Sequence, residues 1–164
     1  MKISSKKIAF MGLCTAVALI LAYIEILLPP IFSSVPGIKM GLPNIIIIFV
    51  LYRFGVKNAF TVSFLRCILV LILFGNIMAF SYSIAGALLS LSAMALLKKF
   101  DFLSTVGVSV AGAILHNVGQ IIMAIILLGT AELGYYLIVL SVTGTLSGIF
   151  IGLCGNLMCK RIPQ

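Results

Sequence analysis

Six apolar runs separated by short polar or charged breaks make up most of the chain: Ile8–Leu28, Gly41–Phe54, Ala59–Phe74, Ala79–Leu97, Ser104–Leu128 and Tyr135–Met158. A helix that crosses the hydrocarbon core of a bilayer, about 30 Å thick, takes about 20 residues, and most of these runs approach or exceed that length. Gly41–Phe54 is the exception. At 1.5 Å per residue it reaches only about 21 Å, so the pattern predicts a short or partly extended second span. The breaks are brief except for the first, Pro29 to Met40, where Pro29-Pro30 and Pro36-Gly37 interrupt helix geometry. A connector of that kind can fold over one mouth of a bundle. The expected architecture is all-α: one polytopic membrane domain over residues 1–164, built as a six-transmembrane-helix bundle.

Composition excludes the alternatives. Of 164 residues, 63% are hydrophobic and 9% charged, against about one-quarter charged in soluble domains. A formal charge of +8 would suggest nucleic acid if the basic residues formed a patch, but they punctuate the apolar runs instead. Lys2, Lys6, Lys7, Arg53, Lys57, Lys98, Lys99, Lys160 and Arg161 fall on one side of the membrane and only Lys39 on the other. That asymmetry predicts a multi-pass protein of the bacterial cytoplasmic (inner) membrane with both termini cytoplasmic. It also argues against a re-entrant second run, which would move every later loop to the opposite side. Ile8–Leu28 follows a basic stretch, yet it exceeds a signal-peptide core of about 7–15 residues and is read as a retained first helix.

The four cysteines, Cys14, Cys67, Cys154 and Cys159, form no CxxC and no metal-like spacing with the single His116, so free thiols are expected and no metal or cofactor is called for. Small residues recur every fourth position in the last run, at Gly144, Gly148 and Gly152, and more weakly in the first, at Gly12–Ala16 and Ala18–Ala22. Such ridges let helix backbones approach closely in lipid. Internal packing is the reading favoured for the last helix. For the first, internal packing and docking to another membrane subunit stand level.

Polar side chains at membrane depth are costly and therefore informative. Arg66 lies well inside the third run. A guanidinium does not readily neutralise, so it requires an anionic partner, carbonyls, water or a bound anion. An ion pair with Glu25 and snorkelling to the interface are the structural alternatives. His116, Asn117 and Gln120 fall near the middle of the fifth run, with Gln120 about 40° and Asn117 about 100° from His116 around the helix. They make a polar stripe, read either as an interhelical hydrogen-bond cluster or as part of a site. Before the second run, Gly37 and Gly41 permit unusual backbone angles, Pro43 suits a first helical turn, and Asn44 suits a cap or a ligand contact. With Lys39 these residues outline a pocket biased toward an anionic or strongly hydrogen-bonding solute. Glu25 and Glu132 sit near the outer boundary and Asp101 in a loop, poorly placed for catalysis.

The segments PGIKMGLPN, LYRFGVKNAFTVSFLR with its following FGN turn, and GAILHNVGQ resemble the Gx transporter family, also called heptaprenyl diphosphate synthase component I. The resemblance runs from about Ile8 to the end of the chain. That family is similar to the substrate-binding S components of energy-coupling factor transporters. The resemblance implies six helices with cytoplasmic termini, an outward pocket under the first loop, and small first-helix residues that dock a coupling subunit. By that resemblance Lys39, Asn44, Arg66, His116, Asn117 and Gln120 are candidate solute contacts, and Ala18 and Ala22 candidate docking positions.

Two functions follow as expectations. One is a non-enzymatic binding or transport module for a small polar or anionic solute, such as an isoprenoid- or quinone-related precursor; without a Walker motif it would need separate ATPases and a coupling subunit. The other is a non-catalytic membrane subunit that partners a prenyl synthase or a redox protein. Prenyl diphosphate synthesis uses magnesium held by clustered carboxylates, and the chain has no DDxxD and only three acids.

Overall fold

The computed structural model describes residues 5–27, 41–74, 76–100 and 103–162. They form six α-helices and no strand: α1 Ser5–Leu27, α2 Asn44–Phe54, α3 Val56–Phe74, α4 Ile77–Leu97, α5 Thr105–Leu128 and α6 Tyr136–Arg161, with a short 3-10 turn at Ala131–Tyr135 ahead of α6. Five of the six are long and apolar enough to cross a membrane, and α2 is the short one.

Polar residues cap two of the helices, and the cap of α4 starts it two residues earlier than hydropathy alone indicates. The Asn76 side chain accepts from the Ala79 backbone N–H at 2.9 Å and opens α4; the Ser104 hydroxyl accepts from Gly107 N–H at 3.1 Å and opens α5. Both satisfy first-turn donors that have no partner inside the helix. Gly129, with φ +67°, closes α5 in the left-handed conformation.

The helix α2 is a buried strut. Ile46, Ile47, Ile48, Phe49, Val50 and Leu51 are all buried, and six consecutive residues at about 100° each cover the whole circumference. Its 11 residues span about 16 Å, roughly half the hydrocarbon core. An unbroken apolar run without a polar face therefore marks a helix surrounded by protein. Phe10 of α1 packs against Phe49 and Phe54 with ring centroids 6.3 and 5.2 Å away. The C-terminal end of α2 is tied down by basic side chains. Lys98 Nζ donates to the Leu51 carbonyl at 2.7 Å and lies 5.0 Å from the Tyr52 ring centre, while Arg53 donates to the Ile162 carbonyl at the end of α6. Burial lowers the pKa of the Lys98 ammonium, with the nearby Cys159 thiol opposing the shift. These contacts gather the start of α1 and the ends of α2, α4 and α6 at one end of the bundle. The opposite end carries the Tyr23–Phe74 ring stack, 5.4 Å between centres.

A single residue, Gly55, joins α2 to α3 with φ 88° and ψ 173°. That region is open essentially to glycine alone. We expect Gly55→Ala to cost about 1–3 kcal/mol although no neighbour would be struck, which a chemical-denaturation comparison of purified proteins would measure. A stability equal to wild type would show that the turn relaxes without penalty.

Helix α5 is central, packing against α4 on one side and α6 on the other. Small residues set both contacts. A β-carbon at Gly148 would lie 2.7 Å from Val110 Cα, and one at Gly152 equally close to Val106 Cα, so the glycine ridge of α6 lies directly on the α5 backbone. Internal packing of this ridge, the reading favoured from sequence, is what the fold shows. On the other flank Gly119 of α5 meets Gly86 of α4, where an added β-carbon would come within 2.9 Å of Gly86 Cα.

Candidate functional site

A polar cavity lies between the middle of the bundle and the end away from the chain termini. Ala22 and Glu25 of α1, Gly41 and Asn44 at the start of α2, Arg66, Cys67 and Val70 of α3, Phe80 and Ser83 of α4, and His116 and Gln120 of α5 line it. Its volume is about 20 Å³, room for about one water molecule. Four of the residues read from sequence as solute contacts, Asn44, Arg66, His116 and Gln120, thus meet in one place although they come from three helices.

Each helix contributes for a local reason. Pro43 precedes α2 with φ −58°, already helical, and is fully buried; Gly41 takes φ +78°, the left-handed turn that aims the chain into α2. The backbone N–H of Gly41 donates to the Glu25 carboxylate, which ties α1 to the mouth of α2. The first N–H groups of α2 are occupied by this turn: Asn44 N–H donates to Gly41 O at 2.8 Å and Ile45 N–H to Leu42 O at 3.1 Å. The positive end of the α2 dipole still faces the cavity and favours negative charge there.

Arg66 is 8% exposed. Its Nη2 donates to Cys67 Sγ at 3.3 Å, a weak acceptor, and its Nε has no hydrogen-bond partner among the described residues. A guanidinium has five N–H donors in a rigid fork, and Arg66 brings this one into the cavity wall. His116 is equally enclosed because Gly86 of α4 makes way for it: a β-carbon at Gly86 would sit 2.9 Å from His116 Cε1.

Three sequence-derived candidates, Asn117, Ala18 and Ala22, lie in surroundings other than those expected. Asn117 does not line the cavity. It donates from Nδ2 to the Leu140 carbonyl of α6 at 2.8 Å, an interhelical tie at membrane depth. The stripe on α5 is wide enough to face two neighbours, so Gln120 and His116 serve the cavity while Asn117 serves α6. Ala18 and Ala22 are 0% and 5% exposed and packed inside the chain, so neither presents an outward docking surface in this structure. Ala9, Gly12 and Ala16 are exposed small residues on the other face of α1. Glu25, near the end of α1, is 8% exposed and belongs to the cavity wall. Lys39 lies outside the described residues.

Sequence reasoning did not anticipate Ser83, Phe80 or Gly86. Helix α4 carries several serines, and no spacing distinguishes Ser83, the one that lines the cavity. The signal for Gly86 is visible only in three dimensions, as the room it leaves for an imidazole on another helix. All four cysteines are free thiols, as their spacing indicates, with Cys67 in the cavity wall. Among the described residues no group of three His, Cys, Asp or Glu is placed to hold a metal ion.

Helices long and apolar enough for a bilayer, packed around a buried arginine, carboxylate and imidazole, define a polytopic α-helical membrane protein with an internal polar site. Residues 14–158 match the family described as heptaprenyl diphosphate synthase component I, and the chain belongs to that family. No curated protein and no solved structure matches it.

Proposed function

We propose that this chain is a non-enzymatic membrane binding protein that captures a small solute through acceptor oxygens, with Arg66 as its anchor. The observation that carries this reading is a buried guanidinium whose Nε has no hydrogen-bond partner among the described residues, on a side chain that lines one cavity with Asn44, His116 and Gln120. Retaining an arginine at such depth is costly unless something occupies its donors. The Glu25 carboxylate balances part of the charge, so the favoured solute carries one anionic or strongly accepting group rather than several. A cavity of about 20 Å³ admits such a solute only when its walls move apart, and binding is thereby coupled to a conformational change. Basic residues at the end that holds the chain termini support an orientation with that end in the cytoplasm and the cavity toward the outer half of the bilayer.

The family's description favours a second reading, a membrane component that works beside a separate prenyl synthase. The two readings require different company. Uptake by a chain of this kind needs a coupling membrane subunit and ATPases, whereas an accessory component needs a synthase or redox partner. Affinity purification from native membranes in mild detergent, followed by mass spectrometry, separates them. Coupling subunits with ATPases are the expected partners; a prenyl synthase or redox protein in their place would establish the second reading and overturn the transport role.

A further inference from the structure

A cavity this small opens only if one of its walls gives way, and the packing of the helices singles out α1. Glycine contacts pin most of the others together. Gly148 and Gly152 of α6 press on α5, Gly119 of α5 meets α4, and a β-carbon added at Gly155 of α6 would strike Ile48 of α2. Helix α3 is held by short connections at both ends, one residue to α2 and two to α4. Helix α1 has neither restraint. A β-carbon added at its one glycine, Gly12, would meet nothing within 4 Å. Residues 28–43 separate it from α2, a length of chain that sets no limit on a shift of a few Å.

The two halves of α1 are held differently. Toward the end that carries the chain termini, Phe10, Cys14 and Ala18 pack into the apolar core with Phe49 and Val50. The other half lines the cavity through Ala22 and Glu25, and it is tied by the Glu25 carboxylate on the Gly41 N–H and by the Tyr23–Phe74 ring stack. Its outer side, Tyr23, Ile24 and Ile26, is exposed. Lipid tails are as apolar as these side chains, so trading protein contact for lipid there costs little. From this arrangement we infer that α1 is the gate of the Arg66 site: it pivots on its Phe10 end and swings outward when Glu25 lets go of Gly41. The inference rests on the solute-binding reading above and names the wall that moves. Admitting a solute requires a gap of about one layer of atoms, roughly 4 Å. Glu25 lies about 22 Å along the helix from Phe10, so a tilt of about 10° supplies that gap, and Ile20 moves by about 3 Å in the same swing.

The test measures distances between pairs of spin labels by electron double resonance in lipid nanodiscs. Labels carried on unnatural ketone side chains leave the four cysteines untouched. They are placed at Ile20 on α1, Ile72 on α3 and Ile138 on α6, all exposed. Glu25→Ala removes the latch, and Tyr23→Ala removes the ring stack without altering the cavity lining. Each is expected to lengthen the Ile20–Ile138 distance by about 3 Å and to leave Ile72–Ile138 as it is in the wild type. Tyr23→Ala decides the question if Glu25→Ala does not fold. An Ile20–Ile138 distance that is the same in every folded variant overturns the inference. An equal shift of Ile72–Ile138 overturns it too, because the bundle then loosens as a whole. The site reading is decided separately, and falls if wild type and Arg66→Gln carry the same retained small molecules from native membranes.

Discussion

Arg66→Gln is expected to lower solute affinity by about 10- to 100-fold while leaving the protein folded. Hydrogen bonds made by a charged donor contribute about 1.5–3 kcal/mol each, and at 1.4 kcal/mol per factor of ten the loss of one or two accounts for that range. The glutamine keeps a polar amide in the cavity but removes the charge and the planar fork. Some stability should fall with affinity, because the Glu25 carboxylate stays buried in the same cavity without the opposing charge of Arg66, and removing one of two buried opposite charges is destabilising. Arg66→Lys retains the charge without the fork and should fall between wild type and Gln. Binding and thermal unfolding of the three proteins, measured side by side, check this. If affinity is unchanged in both variants, Arg66 is structural. If both variants fail to fold, Arg66 holds the helices together and its role as ligand anchor is lost.

The largest structural effect is expected at Gly148. A β-carbon there would sit 2.7 Å from Val110 Cα, 3.1 Å from Ala113 Cβ and 3.2 Å from Ser109 O, so α6 can accept a side chain only by moving off α5. Overpacking of a tight interface costs about 1–3 kcal/mol, which is the expectation for Gly148→Ala; Gly148→Leu should prevent folding. The consequence reaches the site. Separating α5 from α6 also strains the Asn117 to Leu140 tie, about two turns from Gly148 along α6, and α5 supplies both His116 and Gln120. The control is Leu146→Ala, two residues before Gly148 on the exposed side of α6, which should be nearly silent. Yield of monodisperse protein and its unfolding temperature report both. A Gly148→Leu protein as stable as wild type would mean that the glycine ridge is not a tight contact.

How much of this was legible in the sequence depends on what each feature rests upon. Hydropathy located all six helices, since in a membrane protein apolar runs and helices coincide. The exact start of α4 depends on Asn76 as its cap, a polar residue that a hydropathy reading places in the loop. The short second run was recognised, but its burial on every side was not, because hydropathy does not distinguish hydrocarbon from the interior of a bundle. Within the site, Arg66, His116, Gln120 and Asn44 stood out because polar residues at depth are rare. Asn117 stood out equally, and only the position of α6 shows that it is an interhelical tie. Ala18 and Ala22 differ from Gly12 and Ala16 only in which face of α1 they occupy, and a four-residue spacing is the same on every face.

Whether Arg66 anchors a bound ligand is tested most directly by native mass spectrometry of the wild-type protein and Arg66→Gln, released from the same mild detergent after extraction from native membranes. The expected result is a discrete small-molecule adduct on the wild type that is absent from Arg66→Gln. An identical adduct on both proteins, or bare protein in both, would contradict a ligand site built on Arg66.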